Sequence, residues 1–193
     1  EAERQLNIFV LDKSPRKAAE FHCDKHCVKM ILEAGQMLCV AHWIGALRSV
    51  GKKLEDFKRV REAKAYAVSR ADSSLIPPWT LTHTRHPCTV WTSENTGNYE
   101  WHIQLMRALL DEYTLRYKKM HKSEEVYRWL SSRTPYNMSK AEMTDHPQCM
   151  PDSCKVPSNP VSAYRNYYNE HKAYMAKWKL GNVPHWYKGN QNV

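Results

Sequence analysis

The sequence predicts a mainly helical protein, and three observations carry that expectation. Apolar residues repeat at helical rather than alternating spacing, sharp helix-start signals recur, and only one short run has β-prone composition. Over 193 residues, 42% are apolar and 25% charged, the balance of an ordinary globular chain. That length suits a single compact helical domain over residues 1–193, with a short N-terminal extended segment and long loops. Residues 1–6 read as a leader outside the fold. The longest apolar stretch, residues 28–47, is interrupted by Lys29, Glu33, Gln36 and His42, so no membrane span is expected.

Residues 7–11, Asn-Ile-Phe-Val-Leu, are the β-prone run. Ser14 followed by Pro15 then marks a helix start, with serine as N-cap and proline at the first helical position. From there a long helical stretch runs to about Arg48, with room for a break, and Gly51 ends it. A more polar helix is expected over 54–70, and Pro77 and Pro78 open a loop lasting to Cys88. Ser93 or Glu94 starts the clearest amphipathic helix. Tyr99, Ile103, Met106, Leu110, Tyr113 and Tyr117 recur at intervals of 4, 3, 4, 3 and 4. Ser123-Glu124-Glu125 starts a short helix through Leu130. Residues 133–158 carry Pro135, Pro147, Pro151 and Pro157 and read as a loop, and a loop of that length in a compact domain tends to be functional. Asn159-Pro160 starts a last helix expected to reach Trp178, followed by an extended tail.

Charge and aromatic content point to the partner. The chain has 29 Lys and Arg against 20 acids, a net charge of +9, with seven Trp and eleven Tyr but three Phe. A cationic surplus favours phosphate backbones, and Tyr and Trp suit base stacking where Phe fills cores. DNA or another nucleic acid is the expected partner. Six cysteines form no zinc-ribbon pattern. Cys23, Cys27 and Cys39 read as buried thiols, and Cys149 and Cys154 bracket a turn that would let them pair in an oxidising compartment.

The most informative stretch is residues 22–33, His-Cys-Asp-Lys-His-Cys-Val-Lys-Met-Ile-Leu-Glu. At about 100° per residue, His22, Lys25, His26, Lys29, Glu33 and Gln36 fall within roughly one 100° arc. The remaining circumference is apolar, so the helix belongs at the centre of the fold and its ionisable stripe must line a cleft. Glu33 is the candidate general base or stabiliser, His22 and His26 the proton carriers, and Lys25 and Lys29 the phosphate ligands or amine nucleophiles. A Lys29–Glu33 pair at i,i+4 is the structural alternative. Nucleic-acid contacts are expected from Arg85 and His86 in one loop and Lys155 in another. They are also expected from Tyr164, Arg165 and Tyr168 on the last helix, and from Trp186 and Tyr187 in the tail. No cofactor or metal is required. A rival reading joins His22 and His26 to one metal ion, completed by Glu33, Asp152 or His86, as in a metal-dependent hydrolase.

Several of these segments resemble a family of tailed-phage proteins without an assigned activity. They are the opening Asn-Ile-Phe-Val-Leu-Asp, the Asp24-Lys25-His26 helix with Glu33 and Gln36, His86-Pro87-Cys88, Met150-Pro151-Asp152 and the run from Ala163 to Tyr168. That resemblance implies the cytoplasm of an infected cell. A fainter one is to the phage pyrimidine-dimer DNA glycosylases of the endonuclease V type. Asp24, His26 and Glu33 reproduce their Asp-x-His and catalytic Glu spacing, and Pro184, Trp186, Tyr187 and Lys188 their aromatic tail. It implies base excision centred on Glu33. In that family a terminal amine attacks, whereas Glu1-Ala2-Glu3 precede the matching segment here, and Leu32 and Gln36 stand in place of flanking arginines. Lys25 or Lys29 would then supply the amine. The alternative from another class is a nucleic-acid-binding protein that performs no chemistry.

Overall fold

Ser14 Oγ accepts from the Lys17 amide at 3.2 Å and Pro15 occupies the first turn, which opens helix α1, Pro15–Phe21. The computed structural model describes residues 6–189. Six further α-helices follow: α2, Asp24–Ser49; α3, Val60–Arg70; α4, Pro87–Glu94; α5, Thr96–Tyr117; α6, Glu124–Ser131; and α7, Pro160–His171. The described residues contain no strand and are mainly helical, as expected.

The long N-terminal helix breaks at His22 and Cys23, and Arg116 explains how the break is held. This guanidinium, on α5, is completely buried. It donates to the carbonyls of Glu20 at 3.1 Å and His22 at 2.8 Å, which end α1. It also pairs with Asp24 at 3.1 Å, the first residue of α2, and with Glu112 at 3.0 Å. One cation thus satisfies helix-terminal carbonyls and neutralises two carboxylates.

Helix α2 is apolar around most of its circumference and is accordingly central, packing against α3, α4, α5 and α6. By length and composition it is apolar enough to cross a membrane, but 83% of its most apolar window is buried inside this protein. Its N-terminal half joins the main core with α1, α5 and α7, including Ile31, Leu38, Met106, Leu109 and Tyr168. Its C-terminal half joins a second apolar cluster, in which Trp43 and Leu47 meet Ala63 and Ala67 of α3.

The β-prone run does not form a strand. Residues 7–11 are buried, and their backbone is satisfied locally and by side chains: Ile8 N donates to Asn7 Oδ1, and Leu11 O accepts from Arg165 Nε. Leu6, read as leader, lies in the core, while residues 1–5 are outside the described residues. Helix α4 was not expected: its eight residues are too few to show periodicity, and its start is a histidine cap on a proline. The segment 54–70 is a 3-10 turn at Leu54–Asp56 and then α3.

The last helix ends at His171 rather than Trp178. Beyond it the chain turns back over the start of α2, where Lys177 O accepts from Asp24 N at 2.8 Å and Lys179 N donates to Asp24 Oδ1 at 3.1 Å. Closing the N-terminus of the central helix is incompatible with continuing α7. The 133–158 stretch is largely irregular but tightly laid down. It passes so close to α2 and α5 that a Cβ at Gly45 would meet the backbone of Tyr136, and one at Gly97 the backbone of Met143.

Candidate active site on the central helix

The site forms where residues 7–9 cross α2. Asn7 N donates to Glu33 Oε1 at 3.1 Å, while Glu33 Oε2 is buried without a hydrogen-bond partner. The Asn7 side chain is fully engaged: Nδ2 donates to Cys149 O at 2.9 Å, and Oδ1 accepts from Ile8 N and from the Tyr164 hydroxyl. Asn7 therefore positions the acid through its backbone N–H while its side chain ties the segment to Cys149 and Tyr164. Only 6% of Glu33 is exposed. Burial pushes its pKa up to about 7, opposed by Lys29, the Asn7 amide and Lys172. A carboxyl so poised is both a proton donor and an acceptor at neutral pH.

His26 lies about two helical turns before Glu33 on the same stripe of α2. Its Nδ1 is 2.7 Å from the Tyr168 hydroxyl, and its ring packs on Phe9 at 4.3 Å between centroids. Burial, then His22, Lys172 and Lys29, hold its pKa well below the ordinary value, so it is a neutral imidazole. A groove of about 280 Å³ is lined by Lys25, His26, Lys29, Lys172, Tyr174 and Met175. A narrow recess of about 40 Å³ shares His26, Lys29 and Lys172 with it and adds Asn7, Cys149 and Tyr167. Lys172 Nζ also sits over the Tyr167 ring at 4.8 Å. Glu33 lines neither space; it is joined to the recess through the Asn7 amide, and it feels the charges of Lys29 and Lys172, which line both.

The structure thus brings together Lys25, His26, Lys29 and Glu33. His22 stays edge-on to His26, with ring centroids 6.5 Å apart, but lines neither the groove nor the recess. It caps the end of α1 with Nδ1 donating to Ala18 O, its Nε2 is sealed without a partner, and burial lowers its pKa to about 4. The expected metal site at His22 and His26 therefore does not form. Among the described residues, the His, Cys and carboxylate groups close enough to share an ion are His86–Cys88–Cys149 and Cys154–Glu170–His171. The expected Cys149–Cys154 pairing is also absent: Cys154 donates to Glu170 at 3.1 Å, and Cys149 Sγ faces Cys88 Sγ at 3.7 Å.

The aromatic platform is corrected as well. Tyr164 and Tyr168 are completely buried, so they brace Asn7 and His26 rather than offer stacking faces. Arg165 is tied to Asp12 at 3.1 Å and lies over Trp186, which is itself half-buried against Phe21 and Tyr168. Tyr187 packs on Trp178 at 4.8 Å. Lys155 is exposed and paired with Asp152 at 2.8 Å. Arg85 lies in a separate depression beside Leu54, Glu55 and Phe57, and His86 caps α4 through Nδ1. Asn7 and Cys149 were missed as site residues, because they come from irregular segments with no periodic pattern; Tyr167 and Lys172 read as part of the aromatic, cation-flanked face of the last helix rather than as neighbours of Glu33.

A larger cavity of about 560 Å³ lies between α1, α5 and α6. Its Arg107 is paired with Asp111 and Glu124, and none of the buried polar atoms without a partner lines it. Volume and chemistry thus point to different places, and we follow the chemistry. In comparisons with known protein families, curated proteins and solved structures, nothing matches this chain.

Proposed function

We propose that this protein acts on nucleic acid, with Glu33 as the general acid or base of a base-excision or base-modifying reaction. One observation carries the reading: a buried carboxyl with one oxygen lacking a hydrogen-bond partner and a pKa of about 7 feels Lys29 and Lys172, which line a cationic groove together with Lys25. The lysines take the phosphates. The groove has the volume for a base drawn out of the stack, and the recess has room for little more than a water molecule. Protonated Glu33 donates to the leaving base; as the carboxylate it takes a proton from the attacking water. His26, kept neutral, orients that exchange with Tyr168. The resemblance to the pyrimidine-dimer glycosylases agrees in its Glu33 and His26, whereas Asp24 is committed to Arg116.

The test is incubation with end-labelled duplex DNA carrying varied lesions and modified bases, with borohydride added to trap imines. Glu33→Gln is expected to lower turnover by about 10²–10⁴-fold while leaving affinity nearly unchanged. Replacing Lys25 or Lys29 with alanine is expected to weaken binding across sequences and to lower the salt dependence by about one phosphate each. Base release that survives Glu33→Gln would remove the reading. Salt-sensitive binding without any product would leave the non-catalytic alternative in its place.

A further inference from the structure

Cys88, Cys149 and His86 meet beside the recess although no local pattern links them. Cys88 lies in the first turn of α4, completely buried, and Cys149 is in the irregular 133–158 stretch. Their sulfurs are 3.7 Å apart, and a ring nitrogen of His86 lies within 4.8 Å of both. The positions are fixed from several sides. Cys149 is held through its carbonyl by Asn7 Nδ2 and through its amide, which donates to the Tyr164 hydroxyl at 3.2 Å. Cys88 Sγ rests against Asn7 Oδ1 at 3.8 Å.

The spacing has a chemical meaning. Two thiolates on a tetrahedral zinc ion, each about 2.3 Å from the metal, stand about 3.8 Å apart. The sulfurs are already at that separation. A thiolate and an imidazole on the same ion stand about 3.6 Å apart, so the His86 ring closes in by up to about an ångström. Its Nδ1 accepts from Cys88 N at 3.1 Å and the ring also bonds the Leu6 backbone, so ligation through Nδ1 exchanges a helix cap for a metal bond while the Leu6 bond can continue to orient the ring. Two sulfur ligands and one imidazole select a thiophilic ion over magnesium or calcium.

We propose that His86, Cys88 and Cys149 form a three-ligand site for a thiophilic divalent cation, with zinc as the natural occupant. Three protein ligands leave one vertex of the tetrahedron for water or a substrate atom. Of the three ligands Cys149 lines the recess, which Asn7 also lines. Loading the site releases the two thiol protons to solvent and changes no oxidation state. The second His–Cys–carboxylate group, at Cys154, has two exposed members and only one sulfur. The inference does not depend on nucleic-acid chemistry, because metal binding is read without any substrate.

The experiment titrates reduced, metal-free, full-length protein with Co²⁺ under anaerobic conditions. One equivalent is expected to bind, giving the thiolate-to-cobalt charge-transfer band and the visible bands of a tetrahedral ion, both removed by Zn²⁺. Cys149→Ser is expected to halve the charge-transfer band and weaken binding by at least about tenfold. His86→Asn keeps a good helix cap, so it preserves the fold while removing a ligand, and it is expected to weaken binding similarly with both thiolate contributions retained. No band at excess Co²⁺, or a band unchanged in Cys149→Ser, overturns the proposal. So does loss of two thiols to a disulfide on mild oxidation in a protein that takes up no cobalt.

Discussion

Two buried charged regions of this protein are built to opposite plans. Around Arg116, each ion is answered: the guanidinium meets two carboxylates and two carbonyls, and it ties α1, α2 and α5 together. Around Glu33, one oxygen accepts from the Asn7 amide and the other has no hydrogen-bond partner, with only the more distant charges of Lys29 and Lys172 to oppose burial. A fully paired buried cluster locks geometry; a half-paired one keeps a proton exchangeable at a cost in stability. Burial alone therefore does not distinguish the two regions; the unmet hydrogen bond on a carboxylate does.

The largest expected effect tests what burial without ionisation does across the whole molecule. Burial lowers His22 to about 4 and His42, His102 and His146 to about 3. The unfolded chain protonates these imidazoles near 6.5. Between pH 6.5 and about 4 the unfolded state binds protons that the folded state excludes, so stability falls as pH falls. At its steepest the four groups together remove roughly 5 kcal/mol per pH unit. Urea midpoints measured from pH 7 to 4 read this directly, and a flat profile would show that these imidazoles are not neutral in the fold.

Next comes the paired cluster. Arg116→Leu leaves Glu112 and Asp24 without their cation and is expected to lose about 3–5 kcal/mol in denaturant unfolding. A loss below 1 kcal/mol would mean that the cluster does not organise the helix break. Glu33→Gln is expected to move stability the other way. Its carboxyl ionises at about 7 in the fold against 4.5 in the open chain. From pH 4.5 to 7 the folded state holds a proton that the unfolded state has released, so the native acid is increasingly destabilising as pH rises. At pH 8 the glutamine variant should be more stable by up to about 3 kcal/mol, and equal to the parent at pH 4. Destabilisation at both pH values would place Glu33 with the structural charges. The smallest effect sets the baseline: Lys17→Ala, which removes the exposed pair with Glu20 at 3.6 Å, should change stability by no more than about 0.5 kcal/mol.

The same contrast explains what the sequence revealed. The α5 face was legible because Tyr99 to Tyr117 repeat with the helical period, and the α2 stripe because polar residues interrupt an otherwise apolar cylinder. Lys25, His26, Lys29 and Glu33 share that stripe, so their meeting needed no tertiary information. Asn7 and Lys172 reach Glu33 from opposite ends of the chain, and nothing local to either residue announces it. Arg116 reads as one more basic residue at the end of an amphipathic helix. The aromatic spacing past His171 continued a helix that the chain abandons in order to close α2, so Tyr174 and Trp178 do not extend the α7 face. Tyr164 and Tyr168 were taken for surface because tyrosine suits an interface, yet their hydroxyls have buried partners that make the core equally good for them.

The glycines under the 133–158 stretch have a consequence for timing. The stretch lies flush on α2 and α5 at Gly45 and Gly97, and it carries Cys149 to the wall of a recess of about 40 Å³. Such a strap has no slack to lend: side chains larger than hydrogen at either glycine would have to lift it bodily. At that volume the recess holds little more than a water molecule. Amide exchange along residues 139–149 is therefore the clock against which any turnover at Glu33 is to be compared.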